Sequence, residues 1–260
     1  MFDEAGLSYP GPGWTFDDYV ETARKLTRFT QGGSEPDIWG TEFVRNGWKN
    51  VVWSNGGELV DEDRLVTLID SEEAIEALEW YAKWQTEFGI AGGSVRLHTA
   101  AMSPHVSGVG FLRIAPPDLD WAYAEFPRGP RAERSYVIGG ANVVAISSQT
   151  RYPEEAWELL KFLVSEENQE REVFELGTGT AILRSVAFDP RHIHRDGPPY
   201  DLTPVLMQAT KPQPHVPGWA EAEALINNAL IPAWLGERSV RVVIEEVVPV
   251  VNALLQSTNK

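Results

Sequence analysis

Apolar residues recur every three or four positions in several stretches of the chain, which predicts amphipathic helices. The first begins at Thr15, whose hydroxyl stands three residues before the Asp18 carboxylate, the spacing of a capping box. A second runs from Asp70 or Ser71 to about Phe88. The same periodicity predicts the later helices, which are the one behind Pro153, Glu166 to Leu176, Ala220 to Leu235 and the one that starts at Ser239.

Alternating and β-branched runs predict strands between these helices. Glu58 to Leu68 has acidic turn residues in its middle, and Trp121 to Phe126 alternates apolar with polar positions. Tyr136 to Ser147 is β-branched and is interrupted by Gly139 and Gly140, and glycines within a strand often mark a close approach by a ligand or by backbone. The mixture of short strands and long helices predicts an α/β or α+β fold.

Trp48 to Gly57 is predicted to be a loop-and-strand segment, and it carries two tryptophans that lead into an Asn-Gly-Gly turn. The chain has 10 Trp, several of them beside Gly, Pro or Asn rather than within apolar runs. A flat indole near a turn suits a ligand with flat apolar faces and polar edges, such as a sugar ring. Packing in the core or at its rim is the alternative interpretation for each of these tryptophans.

Composition and charge narrow the class of protein. The 260 residues are 43% hydrophobic, enough for one or two cores, and 38 acidic residues against 22 basic ones give a net charge of −16 without a basic run. This balance argues against a nucleic-acid partner. The absence of Cys excludes disulfides and thiolate chemistry. No apolar run is long enough to span a membrane, and the first residues do not have the pattern of a signal peptide.

Catalytic and metal-binding patterns are weak. The sequence contains neither HExxH nor GxSxG, and its carboxylate pairs stand at helix starts or on solvent faces. His192 and His194, with Asp189 and Asp196 nearby, form a nonspecific pattern that does not predict a metal site. We therefore expect a protein that holds a ligand without breaking bonds and without a metal or cofactor.

The order of several motifs along the chain resembles one protein family, the extracellular solute-binding proteins of ABC importers, to which maltose-binding protein belongs. The segments that carry the resemblance are Phe2 to Leu7, Trp14 to Asp18, Trp53 to Leu59, Asp70 to Trp80, Ala101-Met102, Asp120 to Pro130, Gly139 to Ile146, Pro153 to Leu163, Ile226 to Gly236 and Val251-Asn252. Each motif is weak by itself, and their order and spacing together are specific.

The resemblance implies a type II periplasmic-binding-protein-like α/β fold, in which two lobes joined by a hinge close around a sugar. Chains of this family start with a signal and a long segment that forms most of the first lobe, and this sequence begins near the entrance to the second lobe. By analogy, residues 1–124 and 182–260 make the second lobe, and residues 125–181 return to a mostly absent first lobe. For such an N-terminally truncated chain we expect weak or no sugar binding.

The resemblance also implies a ligand site and partners. It assigns Arg45, Asn46 and Trp48 to a sugar-facing loop. It places Gly139 and Gly140 at the border of the cleft, and it gives Phe111 and Trp219 the place of aromatic residues that contact the sugar. The implied partners are a sugar or oligosaccharide and the permease subunits of the importer. The implied protein is a monomer that lies in the periplasm or outside the cell, and in its full-length form it is a membrane-anchored lipoprotein.

Two other classes of function stay open. A carbohydrate-active enzyme would use similar aromatic subsites but needs two carboxylates facing each other across the cleft, and the sequence places none in its tryptophan-bearing loops. A partner-binding helical domain without a ligand would bury Trp48 and Trp219 far apart rather than along one cleft.

Overall fold

A computed structural model describes residues 1–30, 32–104, 116–140, 143–176, 181–193 and 208–258. The chain divides into two compact units. Unit 1 consists of Met1–Val106, Glu125–Gly139 and Gln208–Lys260, and unit 2 consists of Ser107–Ala124 and Gly140–Met207. The assignment of residues 1–124 and 182–260 to one lobe and 125–181 to another stays a prediction.

Unit 1 contains long helices and short strands. Its helices are α1 (Phe2–Ala5), α2 (Phe16–Leu26), α3 (Trp48–Ser54), α4 (Glu72–Thr86), α9 (Trp219–Trp234) and α10 (Val240–Ser257). Its strands are β1 (Trp39–Thr41), β2 (Val60–Asp61), β3 (Val66–Thr67), β4 (Ala100–Met102), β5 (Val137–Ile138) and β6 (Thr210–Lys211). In the residues of unit 2 that the structure describes, the helices are α5 (Pro153–Leu163), α6 (Glu166–Glu170), α7 (Arg184–Ala187) and α8 (Pro190–Ile193), with a π-helical turn at Arg171–Glu175.

The strands form three small pairs. β1 and β4 are parallel, with Trp39 opposite Ala100, and β5 and β6 are parallel, with Val137 opposite Thr210. β2 and β3 form an antiparallel hairpin, which confirms a turn in the middle of the predicted strand-like segment. The α/β fold class is confirmed, because the parallel pairs join segments separated by helices.

Helix starts were the most predictable features. Thr15 and Asp18 form the expected capping box, and Pro153 occupies the first turn of α5. Ser71 rather than Asp70 caps α4, and Ser239 caps α10, each by accepting a hydrogen bond from a backbone N–H three residues later. The hydrogen bonds from Thr15 hold the pKa of the Asp18 carboxyl below its usual range.

Aromatic rings pack α2 against α4 in the core of unit 1. The Phe16 and Trp80 rings stack with their centroids 3.7 Å apart, and the Tyr19 and Trp84 rings stack at 4.7 Å. Such ring pairs stabilise a core beyond the area that they bury. Tyr19 also hydrogen-bonds the buried Thr41 hydroxyl on β1, which ties this helix layer to the β1–β4 pair.

The prediction of a loop and strand at Trp48 to Gly57 was wrong, because residues 48–54 form α3. Every residue of this helix is buried. Helices of about two turns are marginal by themselves and take their stability from packing. The β-branched Val51 and Val52, which favour strands, therefore give way to tertiary contacts at this position.

Two other strand predictions were also wrong in extent. Trp121 to Phe126 belongs to no strand of the described part, and side chains instead bind its backbone: the Trp14 indole donates to the Glu125 carbonyl at 2.7 Å and Gln208 accepts from the Phe126 N–H at 2.8 Å. For the strand predicted from Tyr136 to Ser147, the described residues form a strand only at Val137–Ile138. Residues 141 and 142 lie outside the described part.

A buried polar contact joins α3 to α9 across a long sequence separation. The Trp48 indole N–H donates to the Asn227 side-chain oxygen at 2.7 Å, and Lys49 forms an ion pair with Glu223 one helical turn before Asn227. The Lys49 and Glu223 side chains are 6% and 16% exposed. This contact fixes the position of α3, because a buried charge that loses its partner is costly.

We expect Thr15→Ala to lower the free energy of unfolding by about 1 kcal/mol at pH 7, the usual cost of losing an N-cap hydroxyl. Because the pKa of Asp18 is lowered in the folded chain, its contribution is present above the unfolded pKa of about 3.9 and is lost as pH falls through the folded pKa. Urea unfolding at pH 7 and at pH 2 should therefore show a larger difference between wild type and variant at pH 7. An equal difference at both pH values would contradict this account.

We expect Lys49→Met to cost about 3–5 kcal/mol, because it leaves the Glu223 carboxylate buried without its partner. The double variant Lys49→Met with Glu223→Leu should recover part of that loss, as measured by a double-mutant cycle in urea. Lys83→Met is the matched control, since Lys83 pairs with Glu87 on the surface, and it should cost less than about 1 kcal/mol. Strictly additive effects at positions 49 and 223 would exclude the coupling.

Candidate ligand-binding surface

The carboxyl ends of β1 and β4 lie at one edge of a parallel pair, where ligands bind in open α/β sheets. The chain leaves β1 through a 3-10 turn, Arg45–Gly47, and enters α3 directly. Arg45 and Asn46 are exposed on this turn, and neither side chain has a hydrogen-bond partner among the described residues. Guanidinium donors and a carboxamide that both donates and accepts are suited to hydroxyl groups.

The neighbouring carboxylate, Glu42, serves the backbone of this edge. It accepts hydrogen bonds from the Val95 N–H at 2.6 Å and from the Ser103 hydroxyl at the end of β4. Tyr81 holds the same segment from the core side, because its hydroxyl donates to the Val44 carbonyl at 2.7 Å. The turn that presents Arg45 is therefore anchored on both sides.

A cavity of about 230 Å³ adjoins this turn. Its wall combines two aromatic, two aliphatic and two glycine residues with one amide and one charged side chain. The lining residues are Phe43, Arg45, Gln85, Gly92, Gly93, Ile231, Trp234 and Leu235. The Phe43 and Trp234 rings meet edge to face at 5.8 Å. The wall thus offers a small molecule both apolar and polar surface, in about equal measure.

Trp48 lies in the interior. It is 0% exposed, its indole N–H is bound to Asn227, and the Lys49 ammonium lies 5.8 Å from its ring centroid. The ring therefore supports the Arg45–Gly47 turn from the protein interior and offers no free face to solvent. Trp53 is also buried, at 2%.

A pair of polar side chains on α9 was not among the predicted site residues. Glu223 and Asn227 are spaced i, i+4, so they lie on one face of the helix, and both contact the start of α3. The signal that would have found them is a pair of polar side chains at helical spacing within an apolar helix. Lys49, their charged partner, follows Trp48 directly and gave no pattern of its own.

The other predicted site residues of the described part lie at three places. Trp219 is the first residue of α9, is 6% exposed and donates its indole N–H to Gln213 at 3.3 Å. Gly139 follows β5, where an added Cβ would lie 2.4 Å from the Thr210 side chain, so close approach to β6 requires glycine there. Gly140 belongs to unit 2, and a Cβ would meet nothing within 4 Å.

Phe111, His194, Asp196 and the His192 side chain lie outside the described residues. Within the described part, no group of three or more His, Cys, Asp or Glu side chains is arranged to hold a metal ion. The described helices also include none with the length and apolar content needed to cross a bilayer.

A curated binding protein from Brucella abortus (strain 2308) is similar to this chain. The two are 23% identical over an alignment of 270 positions, which covers 98% of this chain and 64% of the relative. This chain thus spans less than two thirds of the length of that relative. A curated binding protein of Brucella suis biovar 1 matches with the same identity and coverage.

Solved structures share the fold. An ABC substrate-binding protein of Listeria monocytogenes in complex with cycloalternan matches with a TM-score of 0.74 at 19% identity, covering 97% of this chain and 66% of that one. An ABC transporter solute-binding protein of Thermotoga lettingae bound with α-D-tagatose gives 0.75 at 20% identity, with 98% and 68% covered. UgpB of Mycobacterium tuberculosis in complex with glycerophosphocholine gives 0.70 at 18% identity, with 98% and 66% covered.

These likenesses confirm the type II periplasmic-binding-protein fold. The family described as bacterial extracellular solute-binding protein has a model that matches residues 1–170, which is more than half of the chain. The resemblance inferred from the order of the motifs is thereby confirmed, and the chain belongs to the bacterial extracellular solute-binding protein family.

Proposed function

We propose that the chain is the sugar-recognising component of an ABC importer and delivers its ligand to a membrane permease. Its family consists of extracellular solute-binding proteins. Two of the similar solved structures hold carbohydrates, cycloalternan and α-D-tagatose. Both likenesses support a carbohydrate as the ligand class for this chain.

The observation that carries the proposal is the exposed Arg45–Asn46 turn at the carboxyl edge of β1 and β4. Its side chains are unengaged, whereas Glu42, Lys49 and Glu223 around it are all paired. In this proposal Arg45 and Asn46 bind ligand hydroxyls, and Trp48 is a positioning residue that holds the turn.

The size of the cavity next to Arg45 favours weak binding. Ligand sites of soluble proteins occupy about 300–1,000 Å³ and bury most of the ligand surface. The cavity here holds about 230 Å³ and is bounded by unit 1 residues alone. A sugar held against this wall keeps much of its surface in water, so we infer a dissociation constant in the millimolar range.

The proposal assigns no catalysis to the chain. A glycosidase needs two carboxylates on opposite sides of the sugar, one of them able to donate a proton. Glu42 accepts two hydrogen bonds at the edge of β1, and Glu223 is bound to Lys49. Both carboxylates near the turn thus have structural partners, which supports binding without chemistry.

We also infer the setting in which the protein works. The family consists of extracellular solute-binding proteins, so in this proposal the chain meets its ligand outside the cytoplasm and hands it to permease subunits. In this proposal the protein is a monomer that works in the periplasm or outside the cell, is anchored to the membrane as a lipoprotein and has no nucleic-acid partner. The net charge of −16 fits that last point.

We expect maltose and α-D-tagatose to give saturation-transfer NMR signals with dissociation constants of about 1 mM or weaker, equivalent to about 4 kcal/mol of binding. Arg45→Ala and Asn46→Ala should each weaken the signals at least fivefold. Arg64→Ala is the matched control, because Arg64 is an exposed arginine on the β2–β3 hairpin, and it should leave them unchanged.

Two results would contradict the proposal. If neither sugar gives saturation transfer, or if the signals survive both substitutions, the Arg45–Gly47 turn does not bind the ligand. Micromolar binding by isothermal titration, about 8 kcal/mol, would contradict the inference that one wall holds the ligand.

A further inference from the structure

The wall of the cavity beside Arg45 carries a positive charge in an acidic chain. Among the described residues that line it, Arg45 has the one ionised side chain, and none is Asp or Glu. The chain as a whole has a net charge of −16. At physiological ionic strength, exposed charges more than about 8 Å apart are largely screened. The local guanidinium, and not the total charge, therefore decides which ligand charge this surface accepts.

Two carboxylates that flank lining residues along the chain are engaged elsewhere. Both oxygens of Glu42 accept hydrogen bonds, one from a backbone N–H and one from a serine hydroxyl. Glu87 pairs with Lys83 at 3.7 Å on the surface of α4. Within the described part, Arg45 forms no ion pair with these carboxylates or with Glu237, which follows the end of α9. Its charge is therefore available to a ligand.

The backbone that presents Arg45 is held in place by the core. The Tyr81 hydroxyl donates to the Val44 carbonyl at 2.7 Å and accepts from the Val44 N–H at 3.2 Å. Gly47 approaches the same hydroxyl so closely that an added Cβ would lie 2.9 Å from it. A charged group on a fixed turn loses less freedom when it binds a ligand, which favours affinity.

The hydrogen-bonding groups of the wall favour a ligand rich in acceptors. The Arg45 guanidinium only donates, and its planar fork of N–H groups matches the paired oxygens of a carboxylate or a phosphate. The carboxamide oxygen of Gln85 is the one side-chain acceptor among the described lining residues. A neutral hydroxyl brings a donor with each acceptor, whereas an anionic oxygen group brings acceptors alone and forms stronger hydrogen bonds with the fork.

The rest of the wall suits the apolar face of one sugar ring. The Phe43 and Trp234 rings meet edge to face at 5.8 Å, and Ile231 and Leu235 extend the apolar surface. The cavity volume of about 230 Å³ is below the range of about 300–1,000 Å³ that is usual for ligand sites. A single ring fits this volume better than a chain of several rings.

We propose that the ligand of this surface is a monosaccharide with an anionic oxygen group, a carboxylate or a phosphate, which the Arg45 guanidinium binds while Phe43 and Trp234 contact the ring. This inference rests on the proposed function, because it names the ligand class of the same site. Arg45 selects for ligand charge, whereas Asn46 contributes to the binding of acidic and neutral sugars alike.

The test compares three sugars that differ only at carbon 6, which are D-glucose, D-glucuronate and D-glucose 6-phosphate. In ligand-observed NMR titrations at pH 7 and constant ionic strength, we expect at least one acidic sugar to bind about fivefold more tightly than glucose, an effect typical of an exposed charge pair. Arg45→Gln retains donors without the charge and should bring this ratio to about one. The substituted side chain is exposed, so the variant keeps the fold.

Arg96→Gln is the matched control. Arg96 is an exposed arginine on the 3-10 turn Val95–Leu97 and does not line the cavity, so its loss changes the net charge equally without touching the site. The preference for an acidic sugar should survive this substitution. The acidic sugar that binds more tightly identifies the anionic group as a carboxylate or a phosphate.

Three results would overturn the inference: a preference that survives Arg45→Gln, a preference that is lost in Arg96→Gln, or acidic sugars that bind no more tightly than glucose. The third result leaves the proposed function standing, because glucose still binds. If none of the three sugars binds, the proposed function fails together with this inference.

Discussion

The buried contact between the start of α3 and the middle of α9 organises unit 1. Trp48 and Asn227 are separated by 179 positions, and Lys49 and Glu223 by 174, so the contact joins segments that lie about two thirds of the chain length apart. From this point α3 also reaches the β5 strand, because the Asn50 side chain accepts from the Ile138 N–H at 2.7 Å. The exposed Arg45–Gly47 turn enters α3 directly and takes its position from these bonds.

The energetics of this contact favour specificity over raw stability. Burial of an ion pair costs about as much desolvation energy as the attraction returns, whereas loss of one partner is strongly destabilising. An alternative packing of α3 would separate Lys49 from Glu223 and leave both charges without partners. The same helix has all seven of its residues buried, so its short length is compensated by packing.

Local signals predicted much of the fold. The caps at Thr15, Ser71 and Ser239 are hydrogen bonds to a backbone N–H three residues later, so the local sequence is enough to predict them. The structure of Trp48 to Gly57 was not predictable in this way, because Asn227 and Glu223, which bury it, are far along the chain. For the same reason the sequence could propose Arg45 and Asn46 as site residues but could not place the Trp48 ring in the core.

The placement of α3 depends most on the hydrogen bond from the Trp48 indole N–H to Asn227, and hydrogen exchange of that single N–H tests this bond most directly. In an NMR exchange experiment on the assigned indole signals, we expect the Trp48 N–H to be among the slowest, exchanging only when unit 1 unfolds. Complete exchange within the first minutes would contradict the account, since it would mean that the ring is open to solvent and that α3 is not anchored on α9.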